Sequence, residues 1–191
     1  MNFFKNTLPT EENKIIINPE IEGAADAFVL TLRQILNSIP HSSCELLILC
    51  IGSDRSTGDA LGPLVGSMLQ AYPLKNTKIM GTLSEPVHAL NFEQKLAFIA
   101  ANHSSPIILA IDASLGQKQN IGCIELGKGS IRPGAAVQKK LPSVGDLYIT
   151  GIVNIGGFME FMVLQSTRLS LVIKLARFIS WGIVQALPCL F

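Results

Sequence analysis

The sequence predicts an α/β protein with a largely parallel sheet and helices on both of its faces. Two apolar runs, residues 46–51 and 107–111, are typical of fully buried parallel strands. Segments with apolar residues at helical spacing alternate with these runs, which is the pattern of a sheet built from strand–helix–strand units. The chain has 191 residues, 48% of them hydrophobic, and is long enough to bury a substantial core.

The first part of the chain is predicted to be an arm, a helix and a strand. Residues 1–20 are polar, and we expect an irregular arm there before a single domain over residues 21–191. Apolar residues recur at helical spacing over residues 24–39 and stop before Pro40, which predicts the first helix. Residues 45–51 then predict the first strand.

A second helix is predicted over residues 59–72, where the apolar side chains share one helical face. Pro63 is tolerated only in the first turn of a helix, so Asp59 is expected at or near the N-terminal cap. Residues 78–83 predict a second strand, and residues 91–100 predict a third helix.

The rest of the chain continues this alternation. Strands are predicted over residues 106–111, 121–126 and 148–154. A glycine turn at residues 156–157 then leads into one long helix over residues 159–185. No internal repeat and no second domain are indicated.

The composition argues against several kinds of partner. Fifteen Lys and Arg residues against fourteen Asp and Glu residues leave no basic field for nucleic acid and no polybasic stretch for a membrane surface. The four cysteines show no CxxC spacing, which favours reduced thiols in a reducing compartment such as the cytoplasm.

The apolar C-terminal stretch, residues 158–191, raises the question of a membrane span. Charged residues interrupt it, and its uncharged remainder, residues 178–191, is shorter than the roughly 20 residues that a span needs. A buried core helix is therefore preferred, with membrane association as the alternative. The N-terminal residues lack the apolar run of a secretory signal.

Two aspartates are the main candidates for function. Asp59 and Asp112 each follow an apolar run of strand type. Ligands of α/β sheets bind outside the carboxyl ends of the strands, so we expect the two acids to converge in one crevice there. For Asp59 the alternative is a helix cap. Asp112 needs solvent, a partner or hydrogen bonds, since an unpaired buried charge is costly.

Further residues are candidates for substrate binding. Asp54 and Arg55 either shape the loop before Asp59 or touch a substrate. His88 follows the second strand and could border the crevice, although a lone histidine is usually structural. Asn154 precedes the glycine turn, which is at least as well explained as a connection to the last helix. The long connection within residues 129–151 has the length of a binding loop or lid.

Several other kinds of site are disfavoured. The glycine-rich loop at residues 52–58 lacks both the Walker ending and the GxGxxG spacing of nucleotide sites. No Ser-His-Asp or Cys-His set is recognisable, and no ligand cluster suits zinc. The sequence therefore predicts a site without a metal or a cofactor.

Four ordered motifs resemble those of a known family. They are GSDRSTGDALGP (52–63), PVHALN (86–91), AIDA (110–113) and ITGIVNIGGFMEFMVLQSTRL (149–169). Together they resemble the YyaC-type sporulation protein family, which is itself similar to the germination protease of spore-forming bacteria. The resemblance runs from about residue 45 to the C-terminus.

The resemblance implies a fold and an activity. The fold would be a three-layer α/β/α sandwich around a mostly parallel mixed sheet, similar to germination protease and hydrogenase maturation protease. The germination protease is an atypical aspartic endopeptidase that degrades small acid-soluble spore proteins, and its two catalytic aspartates fall on Asp59 and Asp112. Hydrogenase maturation proteases bind nickel partly through a later histidine, and this chain has none after Asp112.

The predicted function is a sporulation-associated endopeptidase in which two aspartates activate water. Its partner would be a peptide or a small spore protein, in the cytoplasm of the forespore or the spore core. The alternative is a non-catalytic binding or regulatory protein on the same fold. A metal-dependent hydrolase is a third hypothesis, for which the sequence shows no ligands. Assembly into a homo-oligomer is left open.

Overall fold

The computed structural model describes residues 14–40, 45–134 and 141–187. These residues form a mixed six-stranded sheet flanked by helices, which confirms the predicted α/β class and the mixed sheet. Side chains alternate across the strands, so the buried residues divide into two apolar clusters on opposite faces. In the first central strand, Ile48 and Cys50 belong to one cluster, and Leu47 and Leu49 belong to the other.

The strands and helices follow in an order close to the predicted one. The strands are β1 (Lys14–Ile17), β2 (Leu46–Cys50), β3 (Thr77–Met80), β4 (Ile107–Gly116), β5 (Ile124–Lys128) and β6 (Leu147–Ile155). The helices are α1 (Ala24–Ser38), α2 (Leu61–Leu69), α3 (Phe92–Asn102), α4 (Glu160–Gln165) and α5 (Leu169–Ala186). Short 3₁₀ turns span Gly58–Ala60 and Lys118–Asn120.

The sheet order is β1-β5-β6-β4-β2-β3. The pairs β2–β3, β2–β4 and β4–β6 are parallel, whereas β5 is antiparallel to both of its neighbours. The carboxyl ends of β2, β4 and β6 therefore lie at one edge of the sheet, and the chain enters β5 at that same edge.

Two predictions about the strands are wrong in detail. Part of the expected irregular arm, residues 14–17, is strand β1, because its apolar run pairs with β5. Residues 1–13 lie outside the described residues. Asp112 lies within β4 instead of after it, because pairing with β6 extends the strand to Gly116.

The predicted last helix is two helices, α4 and α5, separated at residues 166–168. The hydroxyl groups of Ser166 and Thr167 both donate to the carbonyl oxygen of Val163, at 3.2 and 2.9 Å. Such bonds compete with the helical ladder and favour a helix end. Thr167 also accepts a hydrogen bond from the Asn154 amide at 3.2 Å, which ties the break to β6.

Helix α5 is the one described helix that is long and apolar enough to cross a membrane, with a mean hydropathy of 1.4. Within the fold it packs against α1 and α2. The Arg33 side chain of α1 donates to the carbonyl oxygens of Gln185 and Ala186, at 2.6 and 3.2 Å, and so satisfies groups that the end of α5 leaves unpaired. Eight residues of α5 are buried: Val172, Leu175, Ala176, Ile179, Ser180, Gly182, Ile183 and Ala186.

Candidate active site

Asp59 is placed by a compact loop over residues 52–59 that follows β2, the Asp59 turn. The turn starts at Gly52, whose φ of 142° suits glycine, and a Cβ there would lie 2.0 Å from the Asp59 carbonyl oxygen. The Ser53 N–H donates to this carbonyl at 3.1 Å. The N-cap of α2 is Ala60, and no side chain caps the helix. Asp59 therefore lies next to the N-cap, as expected, but its side chain does not cap the helix.

Asp112 is placed by the unequal lengths of neighbouring strands. Ile111 pairs with Cys50, the last residue of β2, so Asp112 is the first residue of β4 beyond the end of β2. On its other side Asp112 is in register with Thr150 of β6. The carboxyl group accepts a hydrogen bond from the Ala113 N–H at 2.8 Å, and the residue is only 8% exposed.

The structure brings the two aspartates together. Both line a cleft of about 530 Å³, and both also line a smaller adjoining cavity of about 60 Å³. The larger cleft does not stop at the strand ends. It extends over the face of the sheet, across β6 and β5 to the edge strand β1.

The two carboxyl groups hold protons more tightly than ordinary aspartates. Burial raises the pKa of Asp59 to about 6, although a backbone hydrogen bond from Ser53 and the charge of His88 oppose the rise. Burial also raises the pKa of Asp112 well above its usual value, and the nearby charge of Asp59 raises it further. Because the charge of one carboxyl group acts on the other, the two acids titrate as a pair.

His88 lies at this site, as predicted. The segment that carries it continues the sheet edge, because Val87 bridges to Ile51 and accepts the Gly52 N–H at 2.9 Å. His88 lines the smaller cavity together with both aspartates. Its Nδ1 accepts the Leu90 N–H at 3.3 Å, so a neutral imidazole here carries its proton on Nε2.

Asp54, Arg55 and Asn154 are not among the residues that line either cavity. Asp54 and Arg55 are exposed in the loop before the Asp59 turn. The Asn154 amide donates to the Val163 carbonyl oxygen at 3.3 Å and to Thr167, which holds β6 against α4. The structure thus supports a structural position for Asn154 and gives no contact between these three residues and the site.

The floor of the larger cleft contains a polar group that the sequence did not reveal. Tyr148 donates from its hydroxyl to Glu125 at 2.8 Å, and the Lys14 ammonium lies 3.3 Å from the same carboxylate. A Cβ at Gly127 would lie 2.6 Å from the Tyr148 hydroxyl, so the absence of a side chain there makes room for the ring. Only the strand register brings these residues together.

A group of apolar side chains is exposed around the start of α4, next to the smaller cavity. Phe158, Met159, Phe161 and Met162 are exposed around the start of α4, with Phe158 at 85%. Phe161 lines the smaller cavity. This helix rests directly on the Asp59 turn, because a Cβ at Gly58 would lie 2.7 Å from the Leu164 side chain.

The connection between β5 and β6 forms another wall. Ser130, Ile131, Arg132 and Gly134 line the larger cleft, and Ile131 bridges to Val144. The described part of the predicted binding loop therefore borders the cleft, and its role in binding stays a prediction. Residues 135–140 lie outside the described residues.

Across residues 14–40, 45–134 and 141–187, no group of three His, Cys, Asp or Glu side chains is arranged to hold a metal ion. His103 Nδ1 lies 3.0 Å from a Glu45 carboxylate oxygen, and Cys50 and Cys123 are buried free thiols. The prediction of a metal-free site stays a prediction.

The fold and the site define the class of the protein. It is an α/β protein with a mixed six-stranded sheet, whose cleft holds two interacting carboxyl groups. The chain belongs to the family described as "Protein of unknown function (DUF1256)", whose model matches residues 18–182. It is 50% identical over 138 residues to "Uncharacterized protein YyaC" of Bacillus subtilis (strain 168), which covers 72% of this chain and 67% of that protein. The YyaC part of the predicted resemblance is thereby confirmed.

A solved structure is similar at a lower level. It is the [NiFe] hydrogenase maturation protease HycI from Thermococcus kodakarensis KOD1, 16% identical, with a TM-score of 0.43. The similarity covers 80% of this chain and 97% of that protein. No functional conclusion follows from a likeness at this level.

Proposed function

We propose that this protein is a sporulation-associated endopeptidase that uses Asp59 and Asp112 to activate water. The observation that carries the proposal is the pair of aspartates with raised pKa values in one cleft. Perturbed carboxyl groups in a cleft are frequent at sites of acid–base catalysis. The resemblance of the surrounding motifs to those of the germination protease supports the sporulation role.

The chemistry requires one ionised and one protonated carboxyl group. The ionised group takes a proton from water, and the water oxygen forms a bond to the peptide carbonyl carbon. The protonated group donates to the carbonyl oxygen. The carbon–nitrogen bond then breaks as the departing amine takes a proton from the protonated carboxyl group. One hydroxyl of the tetrahedral intermediate gives its proton to the other carboxylate as the carbonyl group re-forms, which restores one ionised and one protonated group. No covalent enzyme intermediate is formed.

The cleft has the dimensions and the lining for a peptide. Its volume of about 530 Å³ falls within the range of roughly 300–1,000 Å³ that is common for ligand sites. Thr150 and Glu125 offer polar groups along the floor, and Leu164 of α4 lines the same cleft. We propose a small spore protein as the substrate, with the forespore or spore core as the compartment.

The alternative is a peptide-binding or regulatory protein without catalysis. The exposed apolar side chains around the start of α4 favour it, because aromatic and methionine side chains bind peptides whether or not hydrolysis follows. A site that does not catalyse hydrolysis would still bind the same peptides.

The test is incubation with a panel of small spore proteins, with cleavage followed by mass spectrometry. The wild type should cleave at least one protein, and chelators should not change the rate. Asp59→Asn and Asp112→Asn should each lower cleavage by at least about 10²-fold, because Asn cannot transfer a proton. Asp26→Asn, in an exposed acid of α1, is the matched control and should cleave normally.

Other outcomes would separate the hypotheses. Full activity in Asp112→Asn would remove the aspartate pair from the mechanism. Chelator-sensitive cleavage would favour a metal-dependent hydrolase. Binding of a spore protein by a folded wild type that leaves it intact would favour the non-catalytic alternative.

A further inference from the structure

His88 is held beside the aspartate pair by a segment that is tied down on both sides. On the first side, Val87 bridges to Ile51, and the Val87 carbonyl oxygen accepts the Gly52 N–H at 2.9 Å. The residue before His88 therefore continues the sheet edge where the Asp59 turn begins. This fixes the backbone of His88 relative to the loop that carries Asp59.

Asn91 holds the other side of the segment. It occupies the N-cap position of α3, where an asparagine usually caps its own helix, but its side chain makes no capping bond. Its side-chain oxygen accepts the His88 N–H at 2.9 Å, and its side-chain amide donates to the Pro86 carbonyl oxygen at 3.0 Å. Its backbone N–H donates to the His88 carbonyl oxygen at 3.0 Å. The hydrogen bonds of Asn91 thus hold His88 in place.

The imidazole ring is oriented by the same segment. Nδ1 accepts the Leu90 N–H at 3.3 Å, which places the proton of a neutral ring on Nε2. His88 also lines the smaller cavity, together with Asp59 and Asp112. Nε2 is therefore the nitrogen from which the ring would donate to a group bound in that cavity.

The ring and the two carboxyl groups border this cavity without contacting each other. Between described residues, no hydrogen bond or ion pair joins His88 to Asp59 or Asp112. They are nevertheless near, because the charge of His88 lowers the pKa of Asp59. The cavity therefore offers carboxyl groups and an imidazole to a single bound group.

The cavity suits one carbonyl group better than a peptide segment. Its volume is about 60 Å³, against about 530 Å³ for the larger cleft. A water-sized group needs roughly 10–15 Å³, so the smaller cavity admits a few atoms. Its other described lining residues are mostly apolar, among them Ile51, Phe161 and Leu164. A hydrogen bond in such surroundings is electrostatically stronger than in water.

We propose that the smaller cavity receives the carbonyl oxygen of the scissile peptide bond and that His88 is a catalytic residue that donates to this oxygen from Nε2. The inference rests on the proposed hydrolysis and adds a residue to it. A carbonyl oxygen has two lone pairs. The protonated carboxyl group donates to one of them, and the Nε2–H of a neutral His88 donates to the other. His88 gives up no proton, and it stabilises the negative charge that develops on the oxygen as water adds to the carbonyl carbon.

The first test examines the ring and needs no substrate. The chain has three histidines, so the imidazole ¹⁵N signals of the labelled protein can be assigned by substituting each histidine in turn. In the neutral ring of His88, Nε2 should carry the proton, and Nδ1 should show the shift of a hydrogen-bond acceptor. A neutral ring with its proton on Nδ1 would overturn the inference, whether or not the protein cleaves peptides.

The second test compares two substitutions of His88 on a spore protein that the wild type cleaves. His88→Phe keeps a ring without a donor and should lower kcat by about 10²–10³-fold with KM unchanged, because an interaction of the transition state is lost. His88→Gln keeps an N–H donor and should be at least about 10-fold more active than His88→Phe. His103→Gln, in the half-buried histidine beside Glu45, is the matched control and should leave both constants unchanged.

The pattern of the two variants separates a donor from a packing residue. If His88→Phe is as active as the wild type, or more active than His88→Gln, the ring only packs, and the inference is overturned while the hydrolysis stands. A rise in KM as large as the fall in kcat/KM would assign His88 to substrate binding and would also overturn it. A folded wild type that cleaves no protein of the panel would contradict the hydrolysis and, with it, this role of His88.

Discussion

The two faces of the sheet are covered very differently. On one face, α1, α2 and α5 pack over the central strands and form the larger apolar cluster. On the other face, α3 and the segment before β6 cover mainly β2 and β4. The face of β5, β6 and β1 is left to the cleft. Stability is thus concentrated on the first face, and polar and titratable groups collect on the second.

This difference shows where the fold tolerates acidic side chains whose burial costs free energy. Asp112 projects from a central strand, where an acid would be destabilising under a close-packed helix. The open half of the second face supplies the space and the polar neighbours that make it tolerable. Four predictions test this division.

Removal of residues 158–191 should have the largest effect. This truncation deletes α4 and α5 and exposes the apolar side chains of α1, α2 and the central strands. We expect insoluble or unfolded protein, measured by circular dichroism and size-exclusion chromatography beside the full chain. A truncated chain that stays folded and monomeric would show that the first face does not dominate stability.

A matched pair of isoleucines compares the two faces directly. Ile179→Ala removes a fully buried side chain of α5 and should lower the free energy of unfolding by about 2–5 kcal/mol. Ile16→Ala truncates a cleft residue that is 48% exposed and should change the free energy of unfolding by no more than about 0.5 kcal/mol. Denaturant titration measures both. Equal losses would break the comparison.

Neutralising the aspartates should stabilise the protein at high pH. Their native pKa values are raised, so the folded state binds more protons than the unfolded state as pH rises above about 4, and stability falls. For Asp59 this loss of stability extends over the pH window from its ordinary pKa of 3.8 to its raised pKa of about 6. Asn is neutral at every pH, so a substitution of either aspartate by Asn removes this fall in stability.

The measurement is thermal unfolding of Asp59→Asn and Asp112→Asn at two pH values. At pH 8 each variant should melt at least about 3 °C above the wild type, and at pH 4 the difference should largely vanish. Asp26→Asn should melt with the wild type at both. A variant that is less stable than the wild type at pH 8 would show that the carboxylates are paired favourably in the ionised form.

The cleft floor should show the smallest effect. Tyr148→Phe removes the hydroxyl that donates to Glu125, and such a bond to a charged group contributes about 1.5–3 kcal/mol. Lys14 still pairs with Glu125, so the free energy of unfolding should fall by only about 1.5 kcal/mol in denaturant titration. Tyr72→Phe, in the other tyrosine, should change stability by no more than about 0.5 kcal/mol. Equal effects of the two substitutions would show that the hydrogen bond from Tyr148 to Glu125 does not stabilise the fold.

Local sequence patterns were sufficient for most of the fold. The apolar runs before Asp59 and Asp112 predicted two buried strands, and β2 and β4 are adjacent and parallel. Their position at one sheet edge follows from this arrangement, so the convergence of the two acids was predictable. The helices α1, α2 and α3 were predictable because each has a regular apolar face.

The remaining features depend on contacts between distant residues. The length of β4 depends on its pairing with β6, and β1 forms only because β5 accepts it. The floor network joins Lys14 to Glu125 through strand register, which no local pattern encodes. The break between α4 and α5 depends on Thr167, whose hydroxyl also accepts a bond from β6. The smaller cavity beside the aspartates could not be predicted either, because a cavity depends on how distant residues pack.

The sheet edge at Ile51 also has a consequence for the order of folding. Within two residues, the Ile51 N–H donates to Ile111 and the Gly52 N–H donates to Val87, at 2.7 and 2.9 Å. Three segments that are far apart in the chain must therefore meet at one point before Asp59, Asp112 and His88 become neighbours. Such non-local closure is slow and cooperative. A partly folded chain accordingly has no assembled aspartate pair, and any cleavage of peptides waits until the sheet is complete.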